Sequence, residues 1–96
     1  MAHFVFTGTD RADGLDTRMS VRPAHLEWLA ANAAAIRIAG PFLSDDGKPI
    51  GSLLIIEAAS QAEVEALVAT DPYAHAGLFS AISIRPWRWV VGAPAA

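Results

Sequence analysis

Residues suited to chemistry concentrate in one stretch, Arg18-Met-Ser-Val-Arg-Pro-Ala-His-Leu26, which holds two arginines, a serine and a histidine. His25 is the side chain there best matched to proton transfer, because imidazole gains and loses a proton near neutral pH. Proline is favoured in the first turn of a helix, where its missing N–H leaves no bond unmade. Arg22-Pro23 therefore marks a helix start and places His25 in the first turn, where the positive end of the helix dipole favours neutral imidazole. Arg22 is suited to holding a planar anion, a carboxylate or a phenolate, through its guanidinium. Ser20 offers either a turn or cap, or a hydrogen bond to a substrate or to the imidazole. Arg11 and Arg18 read as solvated, or as paired with Asp10, Asp13 and Asp16.

A second group lies far along the chain, in Asp71-Pro-Tyr73. Asp71 reads as the N-cap of a short turn with Pro72 at its first position. A carboxylate is also the group that holds a histidine in one tautomer and supports its imidazolium. Its two oxygens allow both roles, but only a fold can bring Asp71 to His25. Tyr73, the only tyrosine, either packs beneath a site or donates its hydroxyl. Gly40-Pro41 and Gly51-Ser52 flank a turn and permit close approach of the backbone to a ligand. A Ser-His-Asp acyl-transfer triad would also need an oxyanion hole, which nothing in the sequence places.

The three histidines, His3, His25 and His75, lack the spacing of a metal site, and there is no cysteine to supply a thiolate or a disulfide. No glycine-rich phosphate motif is present. The expectation is therefore a site without metal or cofactor. Formal net charge is −3, from 7 basic and 10 acidic side chains, which argues against general nucleic-acid binding. No apolar run approaches the about 20 residues of a membrane span. The opening Met-Ala-His-Phe-Val-Phe does not read as a signal peptide, so a cytoplasmic location is expected. A length of 96 residues makes one domain, and a hydrophobic fraction of 53% is high for a small monomer, which points toward self-association.

The elements that must position these residues follow from patterning. A strand is expected over 3–7, a polar loop over 8–19, and a helix over 23–36 with Leu26, Leu29, Ala30 and Ala33 facing inward. Strands over 37–43 and 50–58 form a hairpin around the turn Ser44-Asp-Asp-Gly-Lys-Pro49. Ser60-Gln-Ala-Glu63 is a capping box, and it starts a helix whose Val64, Leu67 and Val68 face the core. That helix stops at Asp71-Pro72, a short turn closes at Gly77, and a last strand spans 79–91 with Trp87 and Trp89 on one face. Residues 91–96 are expected to be a flexible tail. The order βαββαβ is the split βαβ pattern, an α+β ferredoxin-like four-stranded antiparallel sheet with both helices on one face. The other face is left bare, and two such faces together would make a homodimer with a barrel-like core.

Ser20-Val-Arg-Pro-Ala-His-Leu26, Ala39-Gly-Pro41, Gly51-Ser52 and Asp71-Pro-Tyr73, in that order, resemble the YCII-related (YciI-like) family over most of the chain. The resemblance implies a dimeric α+β barrel. It also implies an active site of His25 and Asp71, with Ser20, Arg22, Gly40, Pro41, Ser52 and Tyr73 around a small anionic substrate. The reaction class it implies is proton transfer in an elimination, isomerisation or dehydrochlorination. The alternative is a non-catalytic dimer that binds a metabolite or serves as an interaction module.

Overall fold

The structure, a computed structural model, describes residues 1–94; the last two positions of the tail expected over 91–96 lie outside the described residues. Its elements are β1 (Ala2–Asp10), α1 (Leu15–Ala31), β2 (Ile36–Leu43), β3 (Pro49–Ala58), α2 (Gln61–Val68), α3 (Pro72–His75) and β4 (Phe79–Trp87). The strands form one antiparallel sheet in the order β2-β3-β1-β4. This is the α+β ferredoxin-like arrangement expected from the sequence.

Alternation along the strands sets the core. Phe4 and Phe6 of β1, and Leu54, Ile56 and Ala58 of β3, point to the helix side, where they meet Trp28, Ile36, Val64 and Val68. The capping box forms: Ser60 Oγ accepts from the Glu63 N–H, and Glu63 reaches back to the Ala59 N–H. Gly77 closes α3 with φ 68, a left-handed conformation that glycine adopts without steric cost. The Leu53-Leu-Ile-Ile56 run is buried on both sides, since Ile55, facing away from the helices, is only 5% exposed. That second face also carries the exposed Ile38 and Phe42. At its edge the Trp87 and Trp89 rings meet at 5.4 Å, and both rest edge-on against His3. No helix among the described residues is long and apolar enough to cross a membrane.

Three expectations about the elements are corrected. β1 continues to Asp10, so the expected loop shrinks to the few residues before Leu15. β4 ends at Trp87 rather than 91. Most consequential, α1 begins at Leu15 and carries Pro23 inside it. An interior proline gives up one backbone hydrogen bond and costs about 3 kcal/mol in a helix. Here it lies on the exposed side, and side chains on both sides of it anchor the helix to the sheet. The inward residues of α1 are Arg18, His25 and Trp28, whereas Leu26 is 44% exposed and Ala30 and Ala33 face outward. The apolar periodicity misjudged this face because the true inward face is largely polar.

Gly40 and Gly51 differ in kind. A Cβ added at Gly51 would sit 2.6 Å from the Gly8 carbonyl oxygen and 3.2 Å from the Phe42 ring, while one at Gly40 would meet nothing within 4 Å. Gly51 thus permits strand packing rather than approach to a ligand. Gly51→Ala is expected to lose about 1–3 kcal/mol of stability by overpacking, and Gly40→Ala to stay within about 0.5 kcal/mol of wild type. Chemical denaturation of the two variants checks this.

Candidate active site

The site forms where α1 crosses β1 and β3 beside α3. Asp71 caps α3: its Oδ1 accepts from the Tyr73 N–H at 3.0 Å and bonds His25 Nδ1 at 2.8 Å. Capping and imidazole binding therefore share one oxygen rather than dividing the two. An ionised carboxylate only accepts hydrogen bonds, so the proton in this contact belongs to His25 Nδ1 and Nε2 carries the free lone pair. Both side chains are nearly closed to solvent, at 9% and 3% exposure. The imidazole stacks on Tyr73 with ring centres 3.9 Å apart and planes at 17°, and Trp28 lies 5.9 Å away at 28°. Trp28 is itself buried and is tied to α2's end through Nε1 to Thr70 Oγ1 at 2.8 Å. Because α1 starts at Leu15, His25 sits well past the first turn. The helix dipole, which falls off within one turn, therefore does not reach it.

A buried ion pair stands beside this stack. Arg18 donates from Nε to Asp10 Oδ2 at 2.7 Å and from Nη2 to Asp10 Oδ1 at 2.9 Å, and Nη2 also donates to Ser52 Oγ at 2.7 Å. Its guanidinium carbon lies 4.6 Å from the centre of the Tyr73 ring, a cation–π contact. Burial by itself would lower the Arg18 pKa, but the Asp10 carboxylate outweighs it and raises the guanidinium above its ordinary value. Burial raises the Tyr73 phenol, and the charge of Arg18 opposes this only in part. At neutral pH the site thus holds a charged Arg18 and a neutral phenol.

These groups open on a cavity of about 410 Å³. Arg18, Arg22, His25, Ser52 and Tyr73 supply its polar lining, and Met19, Leu26, Leu29, Pro41, Leu43 and Leu54 supply much of the rest, with Gly40 alongside. Of the residues expected around a ligand, Arg22, His25, Gly40, Pro41, Ser52 and Tyr73 are brought together here, with Asp71 behind His25. Ser20 is not. It is exposed and lies outside the cavity lining. On a helix that starts before it, Ser20 points about 200° away from Arg18. His75 is exposed on α3, and no group of three or more His, Cys, Asp or Glu able to hold a metal occurs among the described residues.

The family model of the YCII-related domain matches residues 2–88. This chain belongs to the YCII-related family. It is 34% identical to Protein YciI of Escherichia coli O6:H1 over 95 residues, covering 91% of this chain and 97% of the relative. It is 35% identical to derivative of benzaldehyde biosynthesis cluster protein C of Emericella nidulans over 78 residues, 72% of this chain and 80% of that protein. Among solved structures it resembles 5-chloro-2-hydroxyhydroquinone dehydrochlorinase (TftG) of Burkholderia phenoliruptrix AC1100, solved in complex with 2,5-dihydroxybenzoquinone. That match has a TM-score of 0.82 and 37% identity, and covers 90% of this chain and 93% of the other.

Two residues of this YCII-related site escaped the sequence reading. Patterning predicts a polar loop for Asp10 and Arg18, with their pairing as one option. The signal was spacing: Arg18, Arg22, His25 and Leu29 recur three or four positions apart, one face of a helix. Proline at 23 hid it by suggesting a later start. The single tyrosine makes one property directly measurable. Absorbance at 295 nm should show Tyr73 titrating above its ordinary value of 10.0 in the folded protein. The folded state holds this proton longer than the unfolded chain. Its contribution to stability is therefore complete below about pH 10 and is lost as pH rises through the folded value; Tyr73→Phe should remove that part of the alkaline loss.

Proposed function

We propose that this YCII-related protein is an enzyme that works without a cofactor, moving a proton on a small organic anion through His25 and Asp71. The observation that carries this reading is His25 itself: Nδ1 is bound to a buried carboxylate while the ring lines a cavity sized for a small ring compound. His25 Nε2 takes a proton from the substrate. The electron pair left behind enters the substrate's π system, and then either a leaving group on a neighbouring carbon departs with its bonding pair, or nothing leaves and the pair stays in the π system to be protonated elsewhere. Asp71 supports the imidazolium formed in the process, which then releases its proton to solvent or returns it at another carbon. Release with loss of chloride is a dehydrochlorination, and return at another carbon is an isomerisation. Arg22 at the exposed rim draws in the anion.

Similarity to the dehydrochlorinase supports a substrate of its class, a hydroxylated and chlorinated ring. Chloride release from 5-chloro-2-hydroxyhydroquinone under anaerobic conditions is the direct test. His25→Ala is expected to lower kcat at least about 100-fold, the lower end of what a positioned acid–base group contributes, and also to lower the melting temperature, since it leaves the buried Asp71 carboxylate without its imidazole partner; His25→Gln, which keeps a hydrogen-bonding side chain there, should lose turnover with less loss of stability. Turnover that survives His25→Ala refutes the mechanism, and binding without turnover in the wild type leaves a metabolite-binding protein.

A homodimer is part of the same proposal. The face of the sheet opposite the helices carries the exposed Ile38 and Phe42, with no helix among the described residues packed over them. Ile38→Asp, at a side chain 41% exposed in the single chain, is expected to give a monomer by light scattering where the wild type gives a dimer, because an unpaired carboxylate in an apolar interface carries a large desolvation cost.

A further inference from the structure

The Ser52 hydroxyl is a buried polar group with a role that the His25–Asp71 chemistry does not use. Ser52 lies on β3, 4% exposed, on the helix side of the sheet and in the cavity wall. Its Oγ accepts from Arg18 Nη2 at 2.7 Å. A guanidinium has no acceptor atom, so the direction of this bond is not in question. The side-chain hydrogen bonds among the described residues include none that Ser52 donates. The hydroxyl hydrogen is left over, and the cavity is where it can find a partner. Arg18 cannot turn away to free the oxygen, because Asp10 holds it by two bonds at 2.7 and 2.9 Å.

We infer that Arg18, clamped by Asp10, occupies the Ser52 oxygen and leaves its hydroxyl hydrogen to be donated into the cavity, so that the ligand is one presenting an oxygen acceptor, best an anionic phenolate or enolate oxygen. This rests on the reading of the cavity as the ligand site and sharpens it. The donor is polarised by the charge beside it, since a hydroxyl that accepts from a cation becomes a stronger donor. A charge growing on a substrate oxygen as His25 removes a proton would meet this donor already in place. Asp10 largely balances the charge of Arg18 itself. Selection among oxygens therefore falls to the hydroxyl that Arg18 aims, and Arg18 is a positioning residue.

The test uses 4-nitrophenol as the probe, titrated into the intact protein above its pKa so that the phenolate is present. Binding to the wild type should shift the phenolate absorption band to shorter wavelength, because a hydrogen bond at its oxygen localises the charge there. Ser52→Ala keeps both Arg18–Asp10 bonds and so should fold. It is expected to weaken phenolate binding about tenfold or more, the size of a hydrogen bond to a charged group, and to move the bound band back. Arg18→Lys keeps a cation but not the planar fork that reaches Asp10 and Ser52 together. It should weaken binding less, and adding Ser52→Ala to it should cost less than Ser52→Ala alone. Should Arg18→Lys fail to fold, Ser52→Ala decides alone. Equal affinity and band position in Ser52→Ala and wild type overturn the inference, as does a wild-type protein that takes up no phenolate at millimolar concentration. Fully additive losses overturn the positioning role of Arg18. A protein that binds phenolate through Ser52 but turns nothing over keeps this inference and loses the enzymatic reading.

Discussion

A guanidinium buried to 4% exposure cannot stand without an anion beside it, and the site is arranged around meeting that requirement. Asp10 meets it from the end of β1 with two bonds, and the shortness of the link to α1 keeps the two elements together. A pair of this kind contributes little net stability, because taking both charges from water offsets most of their attraction. Removing either partner alone is costly, about 3–5 kcal/mol, since it strands the other charge. The effect of the pair is therefore on arrangement. It sets which face α1 turns toward the sheet, which wall Ser52 shares, and what lies over the Tyr73 ring.

From that anchor the chemistry follows along one helix face. Arg18 and His25 are two turns apart on α1, and Tyr73 reaches between elements to touch both. α3 is only four residues long, yet its cap is the carboxylate that holds the imidazole. Helix capping and imidazole binding are thus joined at one oxygen atom: the Oδ1 that accepts from the Tyr73 N–H at the start of α3 also bonds His25 Nδ1. The bond to Thr70 holds Trp28, the imidazole's other ring neighbour, in place. The core beneath, from Phe4 to Ile56, is ordinary apolar packing, and the polar face of α1 lies across its edge.

Much of this was legible beforehand. The β-forming residues of β1, the unbroken apolar run of β3, the turn at 44–49, the Ser60–Glu63 capping box and the Asp71-Pro72 break each carry a local signal, and each element is present. The resemblance to YCII-related sequences pointed to His25 and Asp71, which the fold brings within 2.8 Å. What misled was Pro23. Its preference for a first turn is real, but tertiary anchoring of Arg18 and His25 on either side overrode it and moved the helix start to Leu15. That one displacement carried others with it: Asp10 left the loop for β1, Ser20 left the site, and the inward face of α1 changed from apolar to polar.

Element order, the hairpin, the caps and the types of residue available for chemistry were determined by the sequence itself, because they depend on neighbours within a few positions. The pairing of Asp10 with Arg18, the bond from Arg18 to Ser52, the stacking of Tyr73 on His25 and the approach of Asp71 were decided only by the tertiary structure. These contacts join residues from separate strands and helices, and their energies come from burial. A charge or hydroxyl has no preferred partner in an extended chain surrounded by water; it acquires one when packing removes the water and leaves a single group within reach.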